Sequence, residues 1–161
     1  MRPSSTLALT IALTLLGAIV LAIVPMPDWL RPYRPEWVLL VLVYWSMALP
    51  ASVGVGVAWS TGLLMDAIQG SLLGQHALGF AITVYIVLHL YQRVRVFPLP
   101  QQAATVALLL VPYLGISHWV LGMSGHAPGT ALYWAPLLSS ALAWPLMFPV
   151  LRLLRRRAMR F

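Results

Sequence analysis

Apolar runs recur along the whole chain, each closed by a short cluster of proline, glycine, serine or arginine. Six segments stand out, at roughly 6–24, 37–49, 53–68, 77–91, 101–121 and 132–153. Such long, continuously apolar runs predict an all-α polytopic membrane bundle, forming a single domain over 1–161. The first, fifth and sixth reach the ~20 residues that cross a hydrocarbon core of ~30 Å, while the second and third are short. Between those two, "LPASVG" (49–54) stops one helix at Pro50 and turns the chain at a Gly/Ser cluster. They are either two tilted spans in locally thinned bilayer or a re-entrant hairpin shielded by its neighbours. Leu7 to Val24, behind Arg2, exceeds the ~7–15-residue core of a secretory signal and has no A-x-A-like site after it. It is expected to be a retained span. No internal repeat, low-complexity tract or linker interrupts the pattern.

Composition sharpens this picture. Charged residues make up 8% of the chain against about 25% in soluble domains, so no soluble domain fits beside the spans. Net charge is +7 and every base is arginine, five of them in "RLLRRRAMR" (152–160), which opens a basic tail at 154–161. Directly after an apolar run, Arg152, Arg155, Arg156 and Arg157 suit anionic lipid headgroups, at about 1 kcal/mol per residue near the surface. A nucleic-acid partner is not expected, because that requires a folded polar surface. The absence of cysteine excludes disulfides, thiolate metal sites and cysteine nucleophiles. With the amino terminus inside, eight arginines (Arg2, Arg93, Arg95 and five near the carboxyl end) face the cytoplasm and only Arg31 and Arg34 face out. That bias predicts two cytoplasmic termini. Trp29, Tyr33, Trp37, Trp119, Tyr133 and Trp134 then fall at the outer interface, where amphipathic rings prefer to lie.

Candidate chemistry is sparse. In "GVGVAWSTG" (54–62), Gly54, Ala58 and Gly62 have small-xxx-small spacing, which lets another helix approach closely. Asp66 lies about 40° round the helix from Gly62 and so faces the bundle. Two roles fit it: a contact to a ligand or partner, or a carboxylate capping the turn "IQGSLLG" through backbone N–H groups. Topology puts Glu36, Asp66, Gln69, Gln75, His76 and His118 at one depth, a polar rim on the outer face. His76, His89, His118 and His126 show no i, i+4 pairing and no acid at ligand spacing, so no metal or other cofactor is expected. There is no catalytic signature either: no paired carboxylates, G-x-S-x-G elbow or P-loop. In "FPLPQQA" (97–103), Gln101 and Gln102 either satisfy free amides at a helix start or meet a cytoplasmic partner, beside Arg93 and Arg95.

Three stretches together carry a family resemblance. "RPEWVLLVLVYWSMALP" (34–50), "VGVGVAWSTGLLMDAIQGSLLGQHALG" (53–79) and "FPLPQQA" (97–103) resemble the MreD family of bacterial rod shape-determining membrane proteins. The resemblance is specific over about 31–103 and rests on hydropathy and length in the last two segments. The loop "GMSGHAPGTA" (122–131) departs from the family pattern. The resemblance implies a non-enzymatic inner-membrane component of the cell-elongation machinery. Such a protein would bind MreC and connect through it to RodA, its penicillin-binding transpeptidase and MreB. It also implies a fold similar to the substrate-binding S components of energy-coupling transporters. A fold alone does not carry a function.

Two functions therefore compete. The first is a scaffold that holds a partner's helix, with Gly54, Ala58 and Gly62 for close approach and Asp66 and His76 for polar contacts. On that reading Asp66→Ala weakens partner association and leaves folding largely intact. The second is a transport subunit with an outward pocket, docking a coupling protein through Ala8, Ala12 and Gly17/Ala18 of the first span.

Overall fold

The computed structural model describes residues 4–125 and 131–160. Among these residues six α-helices carry the fold: α1 (Ser5–Ile23), α2 (Trp37–Ala48), α3 (Val55–Gln69), α4 (Gln75–Val94), α5 (Leu99–Met123) and α6 (Ala135–Met159). Single 3₁₀ turns at Arg31–Tyr33 and Ala131–Trp134 lead into α2 and α6, and no strand occurs among the described residues. Among the described residues four helices, α1, α4, α5 and α6, are long and apolar enough to cross a membrane.

α2 is the shortest of these helices. Its twelve residues rise only about 18 Å at 1.5 Å each. It is apolar on every side, and a helix with no polar face has to be buried on every face. Accordingly, every residue from Val38 to Met47 is buried, with α1, α4 and α6 packed around it. Its polar atoms are mostly provided for: the Trp45 indole N–H donates to the Thr14 hydroxyl at 2.9 Å, and the Ser46 hydroxyl donates to the Leu42 carbonyl at 2.7 Å. Around α2 the remaining helices pack as a series of neighbours, α3 on α4, α4 on α5, α5 on α6 and α6 on α1.

α2 and α3 follow one another but do not pair as a hairpin. α3 packs on α4, and its far side leaves Trp59, Leu64 and Ile68 exposed. The physical reason is Gly62. A Cβ built there would lie 2.3 Å from the Ala77 Cα, so the backbones of α3 and α4 are in contact at this point. On α6, Leu138, Leu142, Leu146 and Val150 form an exposed stripe at i, i+4 spacing. In water such a stripe would be an association patch; in a bilayer it is open to acyl chains or to another membrane helix. The stretch at 154–161 read as a tail differs from expectation, since α6 continues to Met159. Arginine is a good helix former, and cations at a helix carboxyl end are favoured by the helix dipole.

The bundle has two chemically distinct ends. One carries Asp28, Glu36 and Asp66, all the side-chain carboxylates of the chain, together with Arg31 and Arg34. The other gathers Arg95, Arg152, Arg155 and Arg156. They are called the acidic and the basic end below.

Candidate functional site

At the acidic end the α3–α4 connection folds back over the last turn of α3. Gly70 stops α3 in the left-handed conformation (φ +67°), and its N–H and that of Ser71 both donate to the Asp66 carbonyl. Gly74 is again left-handed (φ +99°) and opens α4. A side chain at either position would be strained, and the two glycines let a five-residue loop close on itself. Within that loop sits the Asp66 carboxylate. One oxygen accepts from the Ser71 hydroxyl (2.7 Å), the His76 N–H (2.9 Å) and the His76 Nδ1 (2.7 Å). The other accepts from the Gly74 N–H at 2.8 Å. Asp66 thus caps the start of α4 from a neighbouring helix, where free N–H groups and the helix dipole favour an anion.

Asp66, His76 and Ser71 are the residue types of a hydrolase triad, but their arrangement is wrong for one. A triad places the serine on the imidazole nitrogen opposite the carboxylate. Here Ser71 and Asp66 both lie at Nδ1, and the Ser71 proton goes to the carboxylate. The cluster is a cap, not a nucleophile. Asp66 is 1% exposed, so its carboxylate is held inside the fold and not on its surface.

Beside this cap lies a cavity of about 690 Å³, walled by Arg31, Glu36, Gln69, Gln75, His76, Tyr113, Ser117 and Tyr133. An adjoining space of about 190 Å³ shares Glu36, Gln69, His76 and Tyr113 and extends to Arg34 and Met65. α5 is drawn in by Gly79, where a Cβ would fall 2.5 Å from the Tyr113 ring. That approach sets the Tyr113 ring 6.0 Å from His76 and 5.4 Å from Phe80.

Glu36 is the one carboxyl that faces this cavity. Its backbone N–H donates to the Ser140 hydroxyl at 3.0 Å, tying the start of α2 to α6. Burial pushes its carboxyl up to about 7, against the opposing pull of a Tyr113 hydrogen bond and the Arg34 charge. Arg34 itself is directed elsewhere: its guanidinium donates to the Ala22 and Val24 carbonyls at the end of α1 and to the Met26 sulfur. Arg31 pairs with Asp28 at 3.4 Å on the open surface.

Of the six residues read as a polar rim, Glu36, Gln69, Gln75 and His76 line the cavity. Asp66 lies behind the wall, under the hairpin. His118 also lies off the cavity, stacked on Tyr133 (5.1 Å) and Trp134 (6.4 Å) with its Nδ1 buried and unpartnered. Sequence reasoning missed Tyr113, Ser117 and Tyr133. Tyr113 and Ser117 stand four apart in an otherwise apolar helix, a signal of a shared polar face that could have been read.

The small-residue set divides in the same way. Gly62 and Ala58 are buried, Gly62 by α4 of the same chain, whereas a Cβ at Gly54 would meet nothing within 4 Å. A surface that α4 already occupies is closed to a partner helix. At the basic end Gln101 is exposed and Gln102 is buried. The Gln102 amide donates to the Val94 carbonyl at the end of α4 (3.2 Å), and its oxygen accepts from the Trp144 indole (2.9 Å). It therefore satisfies a carbonyl of the preceding helix, not the amides at the start of its own. Arg93 is exposed, Arg95 lies 5.1 Å over the Tyr91 ring, and Arg157 is exposed and does not wall the space where Arg95, Arg152 and Arg156 meet. Among the described residues no three His, Asp or Glu side chains gather as metal ligands, and His126 lies outside them.

A family model described as rod shape-determining protein MreD matches residues 4–157. The chain is also 34% identical over 144 residues to the rod shape-determining protein MreD of Haemophilus influenzae, covering 87% of this chain and 86% of that relative. No solved structure matches it.

Proposed function

Because this chain belongs to the MreD family of rod shape-determining proteins, we propose that it is a non-enzymatic inner-membrane scaffold of the bacterial elongation machinery. In this reading it binds the single membrane span of MreC and through it influences peptidoglycan synthesis by RodA and its transpeptidase, with MreB on the cytoplasmic side. Both termini are cytoplasmic, which puts the basic end inside and the acidic end outside. The observation that carries the scaffold reading is an apolar groove between α1 and α6.

That groove has a volume of about 320 Å³ and is floored by Gly17 and Ala18, with Leu21, Trp37, Leu146 and Val150 along its sides. A Cβ at Gly17 would meet nothing within 4 Å, so a foreign helix has room where the chain's own helices do not. Small residues that let backbones approach drive association in lipid, where the hydrophobic effect between helices is absent. The seat of a partner thus moves from Gly54, Ala58 and Gly62 to α1.

The test is a substitution that fills the seat without disturbing the bundle. Gly17→Leu is expected to leave the purified protein monodisperse and to reduce co-purified MreC by about tenfold, a loss of about 1.4 kcal/mol. Undiminished recovery of MreC would remove this groove as the seat.

A second reading rests on the cavity at the acidic end, whose size suits a small molecule. In it the protein is a substrate-binding subunit resembling the S components of energy-coupling transporters. Mass spectrometry of a denatured extract decides it: a stoichiometric small molecule together with a co-purified ATPase supports transport, and an empty cavity counts against it.

A further inference from the structure

At the basic end, Arg95, Arg152 and Arg156 converge on a cavity of about 840 Å³ whose remaining wall includes Phe97, Phe148 and Leu153. A second space of about 280 Å³ shares Arg95 and Arg152 and runs inward to Tyr44 and Arg155. No side-chain carboxylate lies at this end, since Asp28, Glu36 and Asp66 are all at the other. Arg95, Arg152 and Arg156 are exposed and Arg155 is half-buried, and guanidinium groups that share a cavity with no anion repel one another.

A second observation points into the same space. The Tyr44 hydroxyl and the Arg155 Nε are both buried without a hydrogen-bond partner. Tyr44 is 2% exposed, and the Arg155 guanidinium lies 5.9 Å over its ring. Buried donors are nearly always satisfied, so two orphans beside one cavity call for an acceptor that the chain does not provide. The wanted acceptor is anionic, has several oxygens, and lies against aromatic and aliphatic side chains.

We infer that this cavity binds the headgroup of an anionic phospholipid. Its phosphate lies among Arg95, Arg152 and Arg156, whose planar forks suit phosphate oxygens. A second headgroup oxygen accepts from the Tyr44 hydroxyl, and the acyl chains leave along Phe97, Phe148 and Leu153. Basic pockets between membrane helices are suited to headgroups of this kind. A free inorganic phosphate would meet the same arginines but would leave the apolar wall unused. The site is independent of the groove assigned to MreC, and its failure would leave that assignment untouched.

The test uses the full-length protein in phosphatidylcholine nanodiscs doped with phosphatidylglycerol or cardiolipin, with bound lipid read by native mass spectrometry. Anionic lipid is expected to be retained in preference to phosphatidylcholine. The Arg95→Gln/Arg152→Gln pair should cut that retention about tenfold, and Arg157→Gln/Arg160→Gln, with the same change of charge outside the cavity, less than about twofold. Tyr44→Phe removes a single oxygen with no partner in the chain. It should lower retention severalfold with an unchanged thermal midpoint, and it carries the test if the arginine pair misfolds. Equal losses in the two arginine pairs would reduce the site to diffuse charge on α6 and overturn the inference. So would displacement by millimolar inorganic phosphate, or the absence of any preference over phosphatidylcholine.

Discussion

At the acidic end, Asp66 is buried and receives Ser71, Gly74 and both the N–H and Nδ1 of His76, all from within eleven residues of chain. At the basic end, Tyr44 is buried and Arg155 half-buried, the Tyr44 hydroxyl and the Arg155 Nε–H donate to nothing, and the nearest charged groups are further arginines. The difference teaches that a charge takes opposite meanings depending on where its partners come from. A charge satisfied by its own hairpin holds the fold together. A charge left without a counter-ion marks a place where something else belongs. Glu36 stands between these cases: it shares the acidic end with Asp66 but faces a cavity, with Arg34 turned toward α1.

The contrast breaks most readily at Asp66. Asp66→Ala leaves the buried His76 N–H and the half-buried Gly74 N–H and Ser71 hydroxyl without their acceptor. Unmade buried bonds cost about 1–3 kcal/mol each, so a total loss of about 3–5 kcal/mol is expected. Thermal unfolding in detergent should show a large fall or no folded protein, whereas near-native stability would mean that the hairpin closes without its cap. Next in size is Gly62→Ala. The added methyl would meet the Ala77 backbone at 2.3 Å and force α3 from α4, an overpacking that costs typically about 1–3 kcal/mol. Gly54→Ala, into open space, should stay within about 0.5 kcal/mol of the parent in the same assay.

How much of this could be read in advance depends on the range of the interaction. All six helices were legible, because apolar runs closed by Pro and Gly need only local information. Capping of the "IQGSLLG" turn was one of two readings open for Asp66, because Gly70 and Gly74 flank it within a few residues. Pairing of α3 with α4 was not legible, since Gly62 only acquires meaning once Ala77 lies opposite. Tyr113 and Ser117 were passed over because a single hydroxyl in a mostly apolar helix gives the same local signal whether it faces lipid, a core or a cavity, and only their four-residue spacing marks a shared face. The end of α6 was drawn too early, at Leu153, because charge was taken to end a helix that its arginines in fact continue.

Glu36 supplies a prediction with a defined sign. Its carboxyl is raised from 4.5 in the unfolded chain to about 7 in the folded protein, chiefly by burial. The folded state therefore binds the proton more tightly, and stability is lost as pH rises through the window from about 4.5 to about 7. Wild-type thermal midpoints should fall by a few degrees between pH 5 and pH 8, and Glu36→Gln should flatten that dependence. A midpoint that rises over this range in the wild type would reverse the assignment. Asp28→Asn is small as well. It breaks an exposed pair with Arg31 and should change the midpoint by less than the equivalent of about 1 kcal/mol, which separates surface charge at the acidic end from buried charge.

Hydrogen–deuterium exchange of the full-length protein in nanodiscs, with and without anionic lipid, tests the contrast between the two ends most directly. The predicted result is strong protection of the Gly74 and His76 amides in both lipid mixtures, with residues 92–102 and 149–157 slowing only when anionic lipid is present. Rapid exchange at Gly74 and His76, or a basic end indifferent to anionic lipid, would contradict it.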